Sequence, residues 1–223
     1  MKNTAKLLLI PALLACATAA QAQSAGTLLI RGGVTTITPN VSSGDLTPPS
    51  LAGTKSAIGN STRLSGGITY MLADNIAIDV PLAVPFEHDI TGDGAIAGAG
   101  KIGTVKALPA TLLVQWRFME PTAAIRPYVG AGVTYAAFYG ARSTSTLTAL
   151  TGGTPANPTT LSVDSKWAAS VQLGASFQVG NGWFIDANYT YTPLSTRTSL
   201  SSGQTLDAKL DPSSVSLTVG IKF

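Results

Sequence analysis

The sequence predicts an all-β chain that folds as an eight-stranded antiparallel transmembrane β-barrel. Charged residues make up only 11% of the chain, against about 25% in an average globular protein. Apolar residues recur at every second position, and beyond the N-terminus they never form the run of roughly 18 that a spanning helix needs. The alternating segments are joined by connections that are short and long in turn, as in bacterial outer-membrane barrels.

The N-terminus has the three parts of a secretory signal peptide, which we expect to cover residues 1–22. Its basic start, apolar stretch and small-x-small cleavage site lie at residues 2–6, 7–15 and 20–22. The mature chain then begins at Gln23, and 23–223 is the barrel domain. The alternative is a lipoprotein box that ends at Cys16, although it would leave a very short apolar stretch. If Cys16 is removed with the signal peptide, the mature chain has no disulfide.

Eight segments with alternating apolar and polar residues are predicted as the barrel strands. They span residues 27–38, 61–72, 75–88, 104–118, 125–140, 163–179, 182–195 and 213–223. Three connections are short turns, and four are long loops at 39–60, 89–103, 141–162 and 196–212. Because an even number of strands returns both termini to one side, we expect the short turns on the periplasmic side and the long loops outside the cell.

The two faces of these strands differ in charge. The apolar face carries no Asp, Glu, Lys or Arg across the central spans, as lipid contact requires, because a basic side chain there costs about 2–4 kcal/mol at the bilayer midplane. The opposite face carries the charges that we expect inside the barrel: Arg31, Arg63, Asp79, Arg117, Arg126 and Asp186. We interpret them as ion-paired filling of the lumen, since unpaired buried charges are costly.

Aromatic residues on the apolar face gather at two heights, as the two aromatic girdles of a barrel do. One band is expected near the short turns: Tyr70, Trp116, Phe118, Phe177, Trp183 and Phe223. The other is expected near the long loops: Phe86, Tyr135, Tyr139, Trp167, Tyr189 and Tyr191. The chain closes with an apolar alternation that ends in Phe223, which resembles the assembly signal read by the barrel-insertion machinery.

Four stretches carry a family resemblance. They are YMLADNI at 70–76, PFEHDI at 85–90, LPATL with QW at 108–116, and RPYVGAGVTY at 126–135. They resemble the outer-membrane protein W family, which includes alkane-uptake barrels, over most of the mature chain but not in the long loops. The resemblance implies an eight-stranded barrel with a narrow hydrophobic channel. Members pass small apolar molecules through it and release them sideways into the bilayer.

On this basis we expect a channel for passive uptake of small hydrophobic molecules in the bacterial outer membrane. A structural or adhesive barrel that acts through its loops, or a narrow ion pore, remains the alternative. A general porin is disfavoured, because an eight-stranded interior is just wide enough for side chains. The expected partners are outer-membrane lipid and lipopolysaccharide, the barrel-insertion machinery and small apolar solutes. We expect no enzymatic activity, no catalytic residue, no metal or other cofactor, and no nucleic acid.

The positions of two prolines predict where an apolar molecule would leave the barrel sideways. Pro85 lies at the outer end of the third predicted strand and Pro109 in the outer half of the fourth, and neither residue can donate to a β-ladder. We therefore hypothesise a weak seam there, lined by Phe86 and Leu108, that serves as a lateral exit. The alternative is that these prolines only bend the strands or adjust their register.

Overall fold

Backbone pairing closes the chain into a barrel in the computed structural model, which describes residues 22–223. The predicted signal peptide up to residue 21, with Cys16, lies outside these residues. The described elements are β1 (Leu28–Thr38), β2 (Ser42–Ser43), β3 (Thr54–Ile58), β4 (Ser61–Met71), β5 (Ile76–Ala83), β6 (Phe86–Gly94), β7 (Lys101–Arg117), β8 (Ile125–Ser143), α1 (Ser145–Leu150), β9 (Leu161–Val163), β10 (Lys166–Gly180), β11 (Trp183–Tyr191), β12 (Ser195–Leu200), β13 (Thr205–Lys209) and β14 (Ser213–Lys222). No helix among these residues is long and apolar enough to cross a membrane.

The wall contains eight antiparallel barrel strands, as the sequence predicts, but two of them are interrupted. The second consists of β3 and β4, and the third of β5 and β6. The others are β1, β7, β8, β10, β11 and β14, and pairing of β14 with β1 closes the ring. The final backbone bonds of this closure join Phe223, the predicted assembly signal, to Leu28 at 2.8 and 2.9 Å.

The long loops hold more regular structure than the sequence suggests. Strands β2, β13, β12 and β9 form a separate four-stranded sheet that ties the first, third and fourth loops together. The third loop also contains α1, whose first turn is capped by the hydroxyl of Thr144, which accepts a hydrogen bond from the Leu147 amide. The second loop shrinks from the predicted 89–103 to residues 95–100, because β6 and β7 extend beyond the barrel wall. The loops therefore form a folded cover over one end of the barrel.

The predicted outward face is confirmed along most strands. Large apolar side chains that the lipid would surround are exposed, among them Val34, Leu64, Leu112, Val114, Leu173 and Leu217. The prediction is wrong for Phe86, which is 1% exposed and faces inside. Residues 84–85 belong to no strand, and this break shifts the alternation by one residue, which moves a side chain to the other face of a sheet.

Glycines make room for bulky side chains in the narrow interior. A Cβ added at Gly174 would lie 2.5 Å from Cζ of Tyr128, and one added at Gly220 would lie 2.3 Å from Cζ of Phe184. Both rings are nearly completely buried, so neither can move aside at low cost. These positions are glycine because the rings occupy the space of a side chain.

Substitution Gly174→Ala is expected to destabilise the barrel by about 1–3 kcal/mol, because overpacking forces neighbouring side chains off their rotamers. The matched control is Gly32→Ala, where the nearest atom to an added Cβ is 4.0 Å away. Denaturant unfolding in detergent micelles, followed by circular dichroism, measures both. Equal stability of the two variants would contradict the packing described here.

Candidate functional site

Two connected cavities follow the barrel axis from the loop cover downwards. The outer cavity, of about 120 Å³, lies among the long loops. Its lining is dominated by apolar residues, which include Leu46, Ile90, Ile96, Ile102, Leu147 and Leu200. The inner cavity, of about 130 Å³, lies within the barrel. An apolar protein cavity of about 150 Å³ holds benzene, so each space suits a small organic molecule.

A ring of apolar side chains separates the two cavities. Ile58, Val105, Phe138 and Leu210 line both of them. We call these four residues the constriction. Phe138 packs against two apolar clusters of the loop cover, one on the side of β9 and one on the side of β13. Its position is therefore set by the folded loops. A solute that moves from the outer to the inner cavity must pass this ring.

An ion pair forms the upper part of the floor beneath the inner cavity. Nη1 and Nη2 of Arg31 bond the two carboxylate oxygens of Asp79 at 2.8 and 2.9 Å. The hydroxyl of Thr69 donates to the same carboxylate at 2.5 Å. All three residues are buried. Because each polar group is bonded, this pair fills the lumen without leaving a free charge.

A second polar cluster lies beside this ion pair. The carboxylate of Asp186 accepts hydrogen bonds from the hydroxyls of Tyr128 and Ser176 at 2.9 and 2.8 Å. The guanidinium of Arg117 lies 4.6 Å from the centre of the Tyr128 ring and donates to Oε1 of Gln115 at 2.8 Å. This cation–π contact and the hydrogen bonds fix Arg117 across the lumen.

The short-turn end of the barrel is closed by Arg126 and the N-terminal segment. Arg126 donates to the main-chain oxygens of Gln23 and Asp74 at 2.6 and 2.5 Å. Arg117 reaches the same segment through Oε1 of Gln23, at 2.8 Å. We call Arg31, Asp79, Arg117, Tyr128, Arg126, Asp186 and Gln23 together the polar floor. Each of these residues is buried.

Five of the six charges predicted for the lumen lie in the polar floor, and Arg63 does not. Arg63 is exposed near the start of β4, next to the break in the third barrel strand, where fewer neighbours cover it. Sequence reasoning missed Gln23, Gln115 and Tyr128. The parity of Gln115 with Arg117 and of Tyr128 with Arg126 on their strands was a usable signal, whereas nothing in the sequence pointed to Gln23.

The backbone ladder is interrupted between the third and fourth barrel strands. Pairing of β5 with β7 ends at Asp79 and Leu113, and pairing of β6 with β7 begins at Phe86 and Ala107. Residues 80–85 and 108–112 therefore have no ladder between them; we call this stretch the seam gap. Between the other neighbouring barrel strands the ladder is continuous except for single-residue register shifts. One further break separates the second barrel strand from residues 84–89 of the third.

The predicted exit residues all lie at the seam gap. Phe86 and Pro109 line the inner cavity. Pro85 lies in the break between β5 and β6, and Leu108 lies on β7 at the edge of the gap. Leu82 also lines the inner cavity and is 50% exposed on the outside of the barrel, so a single residue of the seam gap contacts both the cavity and the lipid-facing side.

Substitution Asp79→Asn is expected to destabilise the barrel by roughly 3–5 kcal/mol, because it leaves the buried charge of Arg31 without its partner. Adding Arg31→Met should restore part of this loss, since the double variant has no unpaired charge. Unfolding midpoints in denaturant compare the three proteins. A double variant that is less stable than Asp79→Asn alone would contradict the pairing.

Comparison with known proteins gives consistent matches over nearly all of the described chain. A model of the OmpW family matches residues 24–223. Outer membrane protein W of Vibrio cholerae serotype O1 is 31% identical over 208 residues, which cover 91% of each chain. Outer membrane protein AlkL of Ectopseudomonas oleovorans is 29% identical over 140 residues, 63% of this chain and 55% of that protein. The crystal structure of outer membrane protein OprG from Pseudomonas aeruginosa gives a TM-score of 0.82 at 29% identity, covering 92% of this chain and 99% of OprG.

Proposed function

This chain belongs to the OmpW family and is an outer-membrane β-barrel protein, and on that premise we propose that it takes up small hydrophobic molecules by passive diffusion and releases them sideways into the membrane. The observation that supports the proposal is the combination of a filled floor with an interrupted ladder in the wall. The inner cavity lies above the polar floor, and residues on both sides of the seam gap, among them Leu82 and Pro109, line it.

The chemistry of the path favours apolar solutes. Lys55 is the one charged residue in the lining of the outer cavity within the described chain, and the constriction contains only apolar side chains. In the inner cavity Arg31 is held in its ion pair with Asp79. A charged or strongly polar solute would lose water at the constriction and gain few hydrogen bonds in return, which is costly.

The polar floor disfavours passage straight through the barrel. A solute moving on towards the periplasm would have to displace buried guanidinium and carboxylate groups from their hydrogen bonds, and each broken bond leaves a costly unsatisfied group. The seam gap requires no such step. At 80–85 and 108–112 the strands are already unpaired with each other, so an apolar molecule only has to part side chains to reach the outer-membrane lipid.

A disulfide across the seam gap tests the route. Leu82→Cys with Ala110→Cys places the thiols on positions that would face each other if the β5–β7 register continued past Asp79 and Leu113. Oxidation should lower whole-cell uptake of a panel of short-chain and single-ring hydrocarbons several-fold, because the strands can no longer part, and reduction should restore it.

The control pair is Val114→Cys with Ala131→Cys, which are direct partners in the β7–β8 ladder outside the seam gap and whose oxidation should leave uptake unchanged. Antiparallel partners are about 4.5–5.5 Å apart at Cα, a separation that a disulfide spans. Gel mobility of unheated samples confirms that each oxidised barrel remains folded. Unchanged uptake in the oxidised Leu82 and Ala110 variant would overturn lateral release.

Narrowing the constriction should also slow uptake. Phe138→Trp adds bulk at the residue that lines both cavities and is expected to reduce uptake most for the largest solutes of the panel. Tyr139→Trp is the neighbouring control, since Tyr139 is 44% exposed and lines neither cavity. An equal effect of both substitutions, or of neither, would contradict a path through the constriction.

A further inference from the structure

Gln23 occupies an unusual place at the short-turn end of the barrel. It precedes the first strand, yet it is 0% exposed. Its main-chain nitrogen donates to the carbonyl of Pro121 at 2.9 Å, and its main-chain oxygen accepts from Arg126 at 2.6 Å. Its side-chain oxygen Oε1 accepts from Arg117 at 2.8 Å. Three of its four polar groups therefore have hydrogen-bond partners, two of them in the polar floor.

The fourth polar group of Gln23 is unsatisfied. Its side-chain nitrogen Nε2 is buried and has no hydrogen-bond partner within residues 22–223. A buried amide N–H without a partner costs free energy comparable to a lost hydrogen bond. The side-chain oxygen of Gln23 is thus hydrogen-bonded to the barrel, whereas its side-chain nitrogen is not.

The charges around Gln23 are mainly positive. Arg117 and Arg126 both touch it, and the acceptors they contact are neutral oxygens of Gln115, Gln23, Ser176 and the main chain. Asp74 and Glu120 are the carboxylates close enough to act on Arg126, and Asp186 and Asp79 act on Arg117 without contacting Gln23. The carboxylate of Asp74 accepts from the amide of Ala25 at 2.9 Å, and Glu120 is exposed.

Cleavage after Ala22, which the sequence predicts, would change this balance. Gln23 would then begin the chain, and its nitrogen would be an α-ammonium group that is positively charged at neutral pH. A third positive charge would be buried beside two guanidinium groups, and no carboxylate is among the groups that hydrogen-bond Gln23, which makes the charge unfavourable.

We propose that Gln23 is a modification site: as the mature N-terminus it cyclises to pyroglutamate, which closes the short-turn end of the barrel without a terminal charge. The α-amine nitrogen attacks Cδ of its own side chain, the Cδ–Nε2 bond breaks, and Nε2 leaves as ammonia with the proton that the amine gives up. No oxidant or other reactant is required. The inference rests on the predicted cleavage site and is independent of the transport proposal.

The product suits the contacts better than the open residue does. The lactam keeps one N–H, the main-chain group that donates to Pro121, and the main-chain oxygen that accepts from Arg126. It also keeps a side-chain carbonyl oxygen as an acceptor, at a position that shifts when Cδ bonds to the chain nitrogen. It loses the unsatisfied Nε2 atom and the terminal charge. Neutralisation of a chain terminus by covalent modification acts through the same electrostatic argument as N-terminal acetylation.

Mass spectrometry of the protein from freshly isolated outer membranes tests the modification. The expected mass is that of residues 23–223 less one molecule of ammonia, and the N-terminal peptide should be blocked to sequential degradation. A free Gln23 amine or an N-terminus at another residue would overturn the proposal. So would cyclisation that appears only during storage, as judged from samples taken over time.

The variant Gln23→Asn tests the role of the charge. Asparagine keeps an amide oxygen but cannot form the five-membered ring, so the α-ammonium group remains. This variant should unfold at a lower denaturant concentration than the wild type. Its unfolded state holds that proton more strongly than its folded state, so its stability should rise as pH is raised through the range in which α-amines lose their proton. The gap to the wild type should therefore narrow at high pH, and a gap that does not change with pH would contradict the charge argument.

Discussion

The need to satisfy every backbone polar group in hydrocarbon governs this molecule. In lipid an unpaired N–H or C=O costs several kcal/mol, so a β-sheet must close on itself. The pairing of β14 with β1 meets this need, whereas the ladder is interrupted at the seam gap, 80–85 and 108–112, and beside residues 84–89 on the other edge of the third strand. Proline reduces the cost there, because Pro81, Pro85 and Pro109 have no N–H to leave unpaired. The inner cavity lies directly behind the gap, so any occupant shields the remaining polar groups.

The small bore of an eight-stranded barrel imposes the second constraint, because it has to be filled by side chains. The chain fills the two halves differently. Towards the short turns, arginines and carboxylates cross the lumen in hydrogen-bonded pairs, with glycines such as Gly174 making room for Tyr128. Towards the loops, small and apolar residues leave two cavities. In the proposed function this division would direct a solute to the side, since the cavities lie beside the seam gap and the filled half separates them from the short-turn end.

Much of this arrangement follows from the sequence, and the exceptions have physical reasons. Strand alternation and the cost of charge in lipid were enough to predict the eight strands and five of the lumen charges. They do not reveal loop structure, because β3 and the four-stranded sheet of the loop cover pair over long sequence separations that a local pattern does not encode. These two criteria also fail where the alternation is interrupted. The sequence predicts Phe86 on the outer face, because the two-residue break before it cannot be recognised from the pattern of apolar and polar residues. The role of Gln23 depends on Arg117 and Arg126, which are 94 and 103 residues away along the chain.

The break at residues 84–85 joins the fold to the function. Pairing of β5 with β7 already stops at Asp79, and the break at 84–85 delays the next pairing with β7 until Phe86, which gives the seam gap its length. The same break restarts the alternation one residue later, which turns Phe86 from the lipid side to the inside. There Phe86 lines the inner cavity with Pro109 on the facing strand. An opening edged by polar backbone alone would exclude hydrocarbon, and an apolar cavity behind an intact ladder would have no outlet. One local interruption of a strand thus accounts for the unpaired stretch and for the apolar side chain beside it, so the proposed lateral path would need no moving domain and no further change to the barrel.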